Sequence, residues 1–143
     1  MKTYGGFYVS RAHKLSGRVF ERILKESGVD TFNGAQGRIL YVLWEHEKLP
    51  ISEIGKLTSL AKTTLTSMLD RMEEAGLVIR LPDAEDRRQI IISITEKAKQ
   101  YKETYDNISE KMNHIFYEGF TTDEVLMFER MLERIITNLE PNI

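Results

Sequence analysis

Residues 51–94 read ISEIGKLTSLAKTTLTSMLDRMEEAGLVIRLPDAEDRRQIIISI, and this stretch decides the fold. Ile54 and Leu57 are spaced to face inward from a short helix, about 52–58, that Ser52 can cap. Ser59-Leu60-Ala61 follows as a turn. From about Lys62 to Ala75, Leu65, Met68, Leu69 and Met72 fall on one face of a second helix, and Gly76 supplies its stop. The period then changes to two. Leu77 to Leu81 and Gln89 to Ile94 read as strands, with Ile90, Ile92 and Ile94 on one face. Helix, turn, helix and hairpin in that order predict a winged helix-turn-helix, a scaffold that holds its second helix in the DNA major groove. The hairpin tip, Pro82-Asp83-Ala84-Glu85-Asp86-Arg87-Arg88, is longer than the roughly two to five residues that usually close a hairpin.

Upstream, Asn33 and Gln36 approximate a capping box for a helix reaching about Glu47, with Ile39, Leu40, Leu43 and Trp44 as its buried face. Before it, Tyr8, Ala12, Leu15, Val19 and Ile23 form one stripe on a helix from about Phe7 to Glu26, stopped by Gly28. Downstream, Thr95 can cap a long helix carrying Ala98, Tyr101, Tyr105, Ile108, Met112 and Ile115, which Gly119 interrupts. Thr121 with Glu124 makes a second capping box. The last helix carries Val125, Phe128, Leu132, Ile135 and Leu139 at steps of three and four. Leu126, Met127, Met131 and Ile136 widen that stripe beyond one face, so the helix needs more than one neighbour. A second copy of the chain is the simplest source. The predicted fold is mainly α with a small two- or three-stranded β wing. A single domain spans 1–143, with a winged-helix core at 31–94 and dimerising helices at 1–28 and 95–143.

Composition excludes several classes of function. The chain has 143 residues, 41% hydrophobic and 29% charged, which suits one soluble domain. No apolar run approaches the roughly 20 residues of a membrane helix, and MKTYGG has no apolar signal core. A cytoplasmic location without a membrane partner is therefore expected. Cysteine is absent, which removes thiol chemistry and cysteine-ligated zinc. His13, His46 and His114 stand in no metal-binding spacing, so neither a metal nor a cofactor is expected. No Ser-His pair, phosphate loop or motif-placed carboxylate pair suggests an enzyme. The net charge of −2 and pI near 6.0 argue against coating nucleic acid by bulk charge. They leave open a specific binder with few, placed basic groups.

Local charge then decides. Wound at about 100° per residue, the second helix of the pair turns Thr63, Ser67, Asp70 and Glu74 outward. Thr66 flanks that face on one side, Thr64 and Arg71 on the other. Short hydroxyls let a backbone approach closely and can bond phosphates or base edges, and Thr methyls can meet thymine. Lys62 and the free N–H groups of the first turn favour phosphate. Asp70 is expected to lie beyond the groove or to pair with an arginine. At the hairpin tip, Arg87 and Arg88 can enter the minor groove, with Asp86 holding one guanidinium in a bidentate pair. Tyr41, Trp44, Tyr101 and Tyr105 are candidates for a small-molecule pocket, and core packing accounts for them equally well. The alternative to DNA binding is a winged helix that docks proteins, which would want an apolar outer face where this one has hydroxyls.

Three segments resemble the MarR family of transcriptional regulators. Leu65 to Glu73, followed by Ala75-Gly76-Leu77-Val78, is similar to the family's recognition helix and its turn. Pro82 to Arg88, followed by Ile94-Thr95, is similar to its wing, with the Asp-x-Arg signature on Asp86 and Arg88. Phe32 to Gln36 resembles the opening of its second helix. The resemblance covers about the whole chain and implies a homodimer of triangular outline on a pseudo-palindromic double-stranded operator. It further implies repression relieved by small phenolic or other effectors. The chain departs from the family pattern at Ser59, where a turn glycine is common, and at Ala61, where Ser or Asp often caps.

Overall fold

The computed structural model describes residues 1–143. In chain order the elements are α1 (Gly5–Glu26), α2 (Gly34–His46), β1 (Lys48–Pro50), α3 (Ile51–Thr58), α4 (Lys62–Glu74), β2 (Val78–Pro82), β3 (Ile90–Ile94), α5 (Glu96–Lys99), α6 (Lys102–Phe116) and α7 (Thr122–Leu139). A single 3-10 turn, Glu140–Asn142, closes the chain.

Both capping boxes form. Asn33 accepts the Gln36 N–H at 2.8 Å and Gln36 accepts the Asn33 N–H at 3.0 Å. Thr121 and Glu124 do the same at the start of α7. The wing is three-stranded and antiparallel in the order β1-β3-β2. Leu49 pairs with Ile92 on one side of β3, and Arg80 pairs with Ile92 on the other. Pro50, which has no N–H to donate, takes an edge strand, where that loss is tolerated.

Four local expectations change. Ser52 does not cap α3, because the helix starts a residue earlier, at Ile51, and Pro50 occupies the cap position. Leu57 does not face inward and is 52% exposed. Ile51, Ile54 and Thr58 centre the covered face of α3, and Leu57 projects about 90° away from it. The strand face does not hold along its whole length. Ile92 and Ile94 are buried, but Ile90, next to the tip, is exposed. The long helix after Thr95 is broken at Gln100-Tyr101 into α5 and α6. The Trp44 indole N–H donates to the Ala98 carbonyl at 3.0 Å, and the Tyr101 N–H closes a tighter i to i+3 bond to that same carbonyl at 3.1 Å. The Tyr101 hydroxyl is tied across the break to Thr31 at 2.7 Å.

The core is one cluster. Ile39, Leu40 and Leu43 of α2 meet Ile54, Leu65, Leu69, Met72, Leu77 and Ile92 of the winged helix, and α1 and α6 cover them through Leu24, Tyr105 and Ile108. Gly37 allows the close approach of α2 to α6, since a Cβ there would lie 2.7 Å from the Tyr105 ring. By contrast α7 buries no residue, and Met131, Ile136 and Leu139 are 52%, 54% and 62% exposed. A hairpin of rings, Phe116, Tyr117, Phe120 and Phe128, joins it to α6.

The turn between α3 and α4 passes through Ser59 at φ 56°, a left-handed conformation that costs an L-residue about 1–2 kcal/mol. Ser59→Gly is therefore expected to stabilise the fold by roughly 0.5–1 kcal/mol after glycine's own entropic cost. Urea denaturation of both proteins measures the difference.

Candidate nucleic-acid interface

The inner face of α4 is sealed: Leu65, Leu69 and Met72 are at most 1% exposed. Lys62, Thr63, Thr64, Thr66, Ser67, Asp70, Arg71 and Glu74 all stand on the exposed side. No side chain caps the helix, because Ala61 at that position has no acceptor. The first intrahelical bond is Leu65 N–H to the Ala61 carbonyl, so the N–H groups of Lys62, Thr63 and Thr64 point forward without a helical partner. The Thr66 hydroxyl donates back to the Lys62 carbonyl at 2.9 Å, which leaves its methyl and an oxygen lone pair to face outward.

Asp70 is paired with an arginine, and the arginine is Arg80 of β2, at 2.7 Å. The same guanidinium reaches Glu73 at 2.9 Å. Reading the sequence did not single out Arg80. The available signal was Asp70 and Glu73 at i, i+3 on one helix, with an arginine on the strand after the Gly76 turn.

The wing tip folds on local bonds. Asp83 Oδ1 accepts the Glu85 N–H at 2.9 Å, and Asp86 Oδ1 accepts the Arg88 N–H at 3.0 Å. Asp86 holds the Arg88 side chain through that one oxygen and Nε at 3.3 Å, rather than by the bidentate pair expected. That oxygen also accepts the Arg88 backbone N–H, so the carboxylate is turned to the main chain and meets the guanidinium with one atom. Arg88 remains 92% exposed and Arg87 is exposed beside it. The structure brings the helix and the wing together: Lys62, Arg88 and Gln89 line one groove of about 420 Å³ with Ser52, Gly55 and Leu60.

The four aromatic pocket candidates lie close together but are not equivalent. Trp44, Tyr41 and Phe32 pack around Tyr105 at 5.1, 6.2 and 6.4 Å between ring centroids. Trp44 and Tyr101 spend their polar atoms on structural hydrogen bonds. Tyr105 lines a groove of about 420 Å³ between α1, α2 and α6, which the other three do not line. Its walls carry Lys14, Arg18, Glu21 and Arg38 with Phe20 and Met112; of these, periodicity places only Met112, on the apolar stripe of the helix after Thr95. Burial pushes the Tyr105 hydroxyl up from the usual phenol range, against the nearby Arg38 charge. No cluster of histidine and carboxylate able to hold a metal occurs in the structure.

Comparison with known proteins agrees with this geometry. The MarR family model matches residues 32–90. The HTH-type transcriptional repressor IacR of Pseudomonas putida is 31% identical over 134 residues, covering 94% of this chain and 78% of the relative. The chain belongs to the MarR family. As a MarR-family protein it is a transcriptional regulator rather than a member of an enzyme family. Its winged helix also matches solved family structures. Reduced AbfR bound to DNA is 30% identical with a TM-score of 0.71, covering 95% of this chain and 90% of that one. A MarR variant from E. coli complexed with operator DNA has a TM-score of 0.81 at 23% identity, covering 94% and 99%, and shows the shared fold. No helix of this MarR-family chain is long and apolar enough to cross a membrane.

Proposed function

We propose that this MarR-family regulator acts as a homodimeric repressor on a pseudo-palindromic operator. In this reading α4 lies in the major groove and the wing tip in the adjacent minor groove. The observation that carries it is the shared groove of Lys62 and Arg88, which places the helix N-terminus and the wing arginine on one side of the molecule. Thr63, Thr64, Thr66, Ser67 and Arg71 serve the major groove, Lys62 takes a phosphate, and Arg87 and Arg88 enter the minor groove with Asp86 orienting Arg88. The name of IacR supports repression, and the DNA complex of AbfR supports DNA as the partner.

Selection of bound duplexes from a random-sequence pool tests the reading. The expected product is two related half-sites about 34–36 Å apart, one helical turn. Their affinity should fall as salt rises, because phosphate contacts release counterions. A pool that enriches no site favours a protein-docking winged helix instead.

A second reading concerns the effector. The groove between α1, α2 and α6 joins Lys14, Arg18 and Arg38 to aromatic and apolar walls, with its one carboxylate, Glu21, accepting the Gly34 N–H; three cations against one acid suit a small aromatic carboxylate. Trp44, the only tryptophan, sits 5.1 Å from Tyr105 and reports occupancy. Titration with benzoate and hydroxybenzoates should quench or shift its fluorescence. Arg38→Ala should raise the dissociation constant about tenfold, the effect of losing one charge-assisted bond. No change at millimolar concentrations of these compounds would remove this reading. A thiol-based sensor has no counterpart among these residues.

A further inference from the structure

Arg80 contributes no atom to the surface assigned to DNA, yet it is the most firmly held charge beside it. It stands in β2 opposite Ile92, on the sheet face turned to the core and α4. Its side chain is 22% exposed, against 92% for Arg88. Nη2 donates to Asp70 Oδ1 at 2.7 Å and lies 3.5 Å from the Thr66 carbonyl, while Nη1 donates to Glu73 Oε1 at 2.9 Å. The second oxygen of Glu73 accepts the Arg80 backbone N–H at 3.2 Å. Glu73 thus grips both the main chain and the side chain of one β2 residue, and the planar guanidinium fork lets Nη1 and Nη2 bridge Glu73 and Asp70 at once.

Magnitudes argue against stability as the main role. Partly exposed ion pairs contribute about 0–1 kcal/mol to folding, and the core of α4 is already sealed by Leu65, Leu69 and Met72. Position argues for a different role. The acceptors lie on the turns that follow the hydroxyl-bearing face of α4, and the wing tip begins two residues beyond Arg80. Asp70 shares the outward side with Thr63 and Ser67, so an unpaired carboxylate there would oppose phosphates.

We infer that Arg80 is a positioning residue for DNA recognition. It pairs with both Asp70 and Glu73, offsetting one of their two negative charges, and fastens the first long wing strand to α4, so that Arg87 and Arg88 stand at a set distance from the hydroxyl face. This rests on the proposed reading that α4 and the wing engage DNA together.

The test uses the full-length protein and a duplex selected by the wild type from a random pool. Arg80→Met should lower affinity about tenfold, with Arg80→Lys between the two, while the thermal midpoint moves by less than about 4 °C. The decisive measurement is a cycle with the wing, since groups that act as one unit give non-additive losses. Arg88→Ala should cost at least about fivefold in the wild type and less than about twofold in Arg80→Met. Affinity of Arg80→Met within twofold of the wild type overturns the inference. So does an Arg88→Ala factor that is equal in both backgrounds, as a direct phosphate contact or a general loss of fold would give. If Arg80→Met unfolds, Asp70→Asn/Glu73→Gln, which removes the acceptors and keeps the arginine, is held to the second criterion alone, since it also removes two charges that oppose phosphate. A wild type that enriches no duplex overturns the proposed function itself, whereas enrichment with equal factors overturns only the role of Arg80.

Discussion

Ile136→Glu is expected to convert the protein to single chains and to abolish its tight binding to a duplex with two half-sites. The reason lies in α7, an 18-residue helix with no buried residue. Its apolar residues form a stripe wider than the α6–α7 ring cluster covers, and Ile135, Ile136 and Leu139 stand 45%, 54% and 62% exposed. Burying the half of each such side chain that is still exposed is worth about 1 kcal/mol or a little more, so a second copy that covers this face supplies what the single chain lacks. A carboxylate at Ile136 would have to be desolvated there without a partner, at a cost of several kcal/mol. Sedimentation velocity reads the change of mass directly. Loss of the second half-site removes an avidity gain on the order of 100- to 10,000-fold. Arg130→Gln, on the opposite side of α7, should leave both mass and affinity unchanged. A variant at Ile136 that stays a dimer would assign the apolar face of α7 to something other than self-association.

Arg88→Ala is expected to weaken binding to the selected duplex by about 1–3 kcal/mol, roughly 5- to 150-fold. The side chain is 92% exposed and makes one ion pair, with Asp86 at 3.3 Å. Its loss should therefore change folding stability by less than about 1 kcal/mol. A large effect on DNA with little effect on unfolding marks a residue whose work lies outside the fold. The effect should also be local in sequence, relaxing preference at the A·T-rich positions that the wing meets, since a narrow minor groove attracts arginine by its potential. Lys62→Ala should differ in kind, weakening all duplexes alike and reducing the salt slope by about one. A gel-shift titration in which Arg88→Ala binds as well as the wild type would take the wing out of the mechanism.

Much of the site was legible because its residues are close in sequence. The period of Leu65, Leu69 and Met72 orients α4, and that orientation alone turns Thr63 and Ser67 outward. The tip Asp83–Arg88 is held by bonds between residues two apart, and such contacts leave a local signature. The two capping boxes were readable for the same reason. Arg80 was not readable as a partner, because which strand residue faces α4 depends on the register of β2 against β3. The cationic wall of the α1–α2–α6 groove was not readable either, since Lys14, Arg18 and Arg38 meet only when α1 folds back over α2.

The amino-acid sequence by itself determined the order of the helices up to α4 and of the two hairpin strands, the sealed and open faces of α4, and the need of α7 for another neighbour, while β1 at Lys48–Pro50 carries no local signature. These follow from periodicity and caps, which are properties of short segments. Tertiary structure alone decided where the chain breaks between α5 and α6 and which arginine quiets Asp70. It also decided that Trp44 and Tyr101 brace the fold while Tyr105 opens onto a groove. Each of those outcomes turns on atoms many residues apart competing for the same carbonyl, carboxylate or cavity, and no local pattern records who wins.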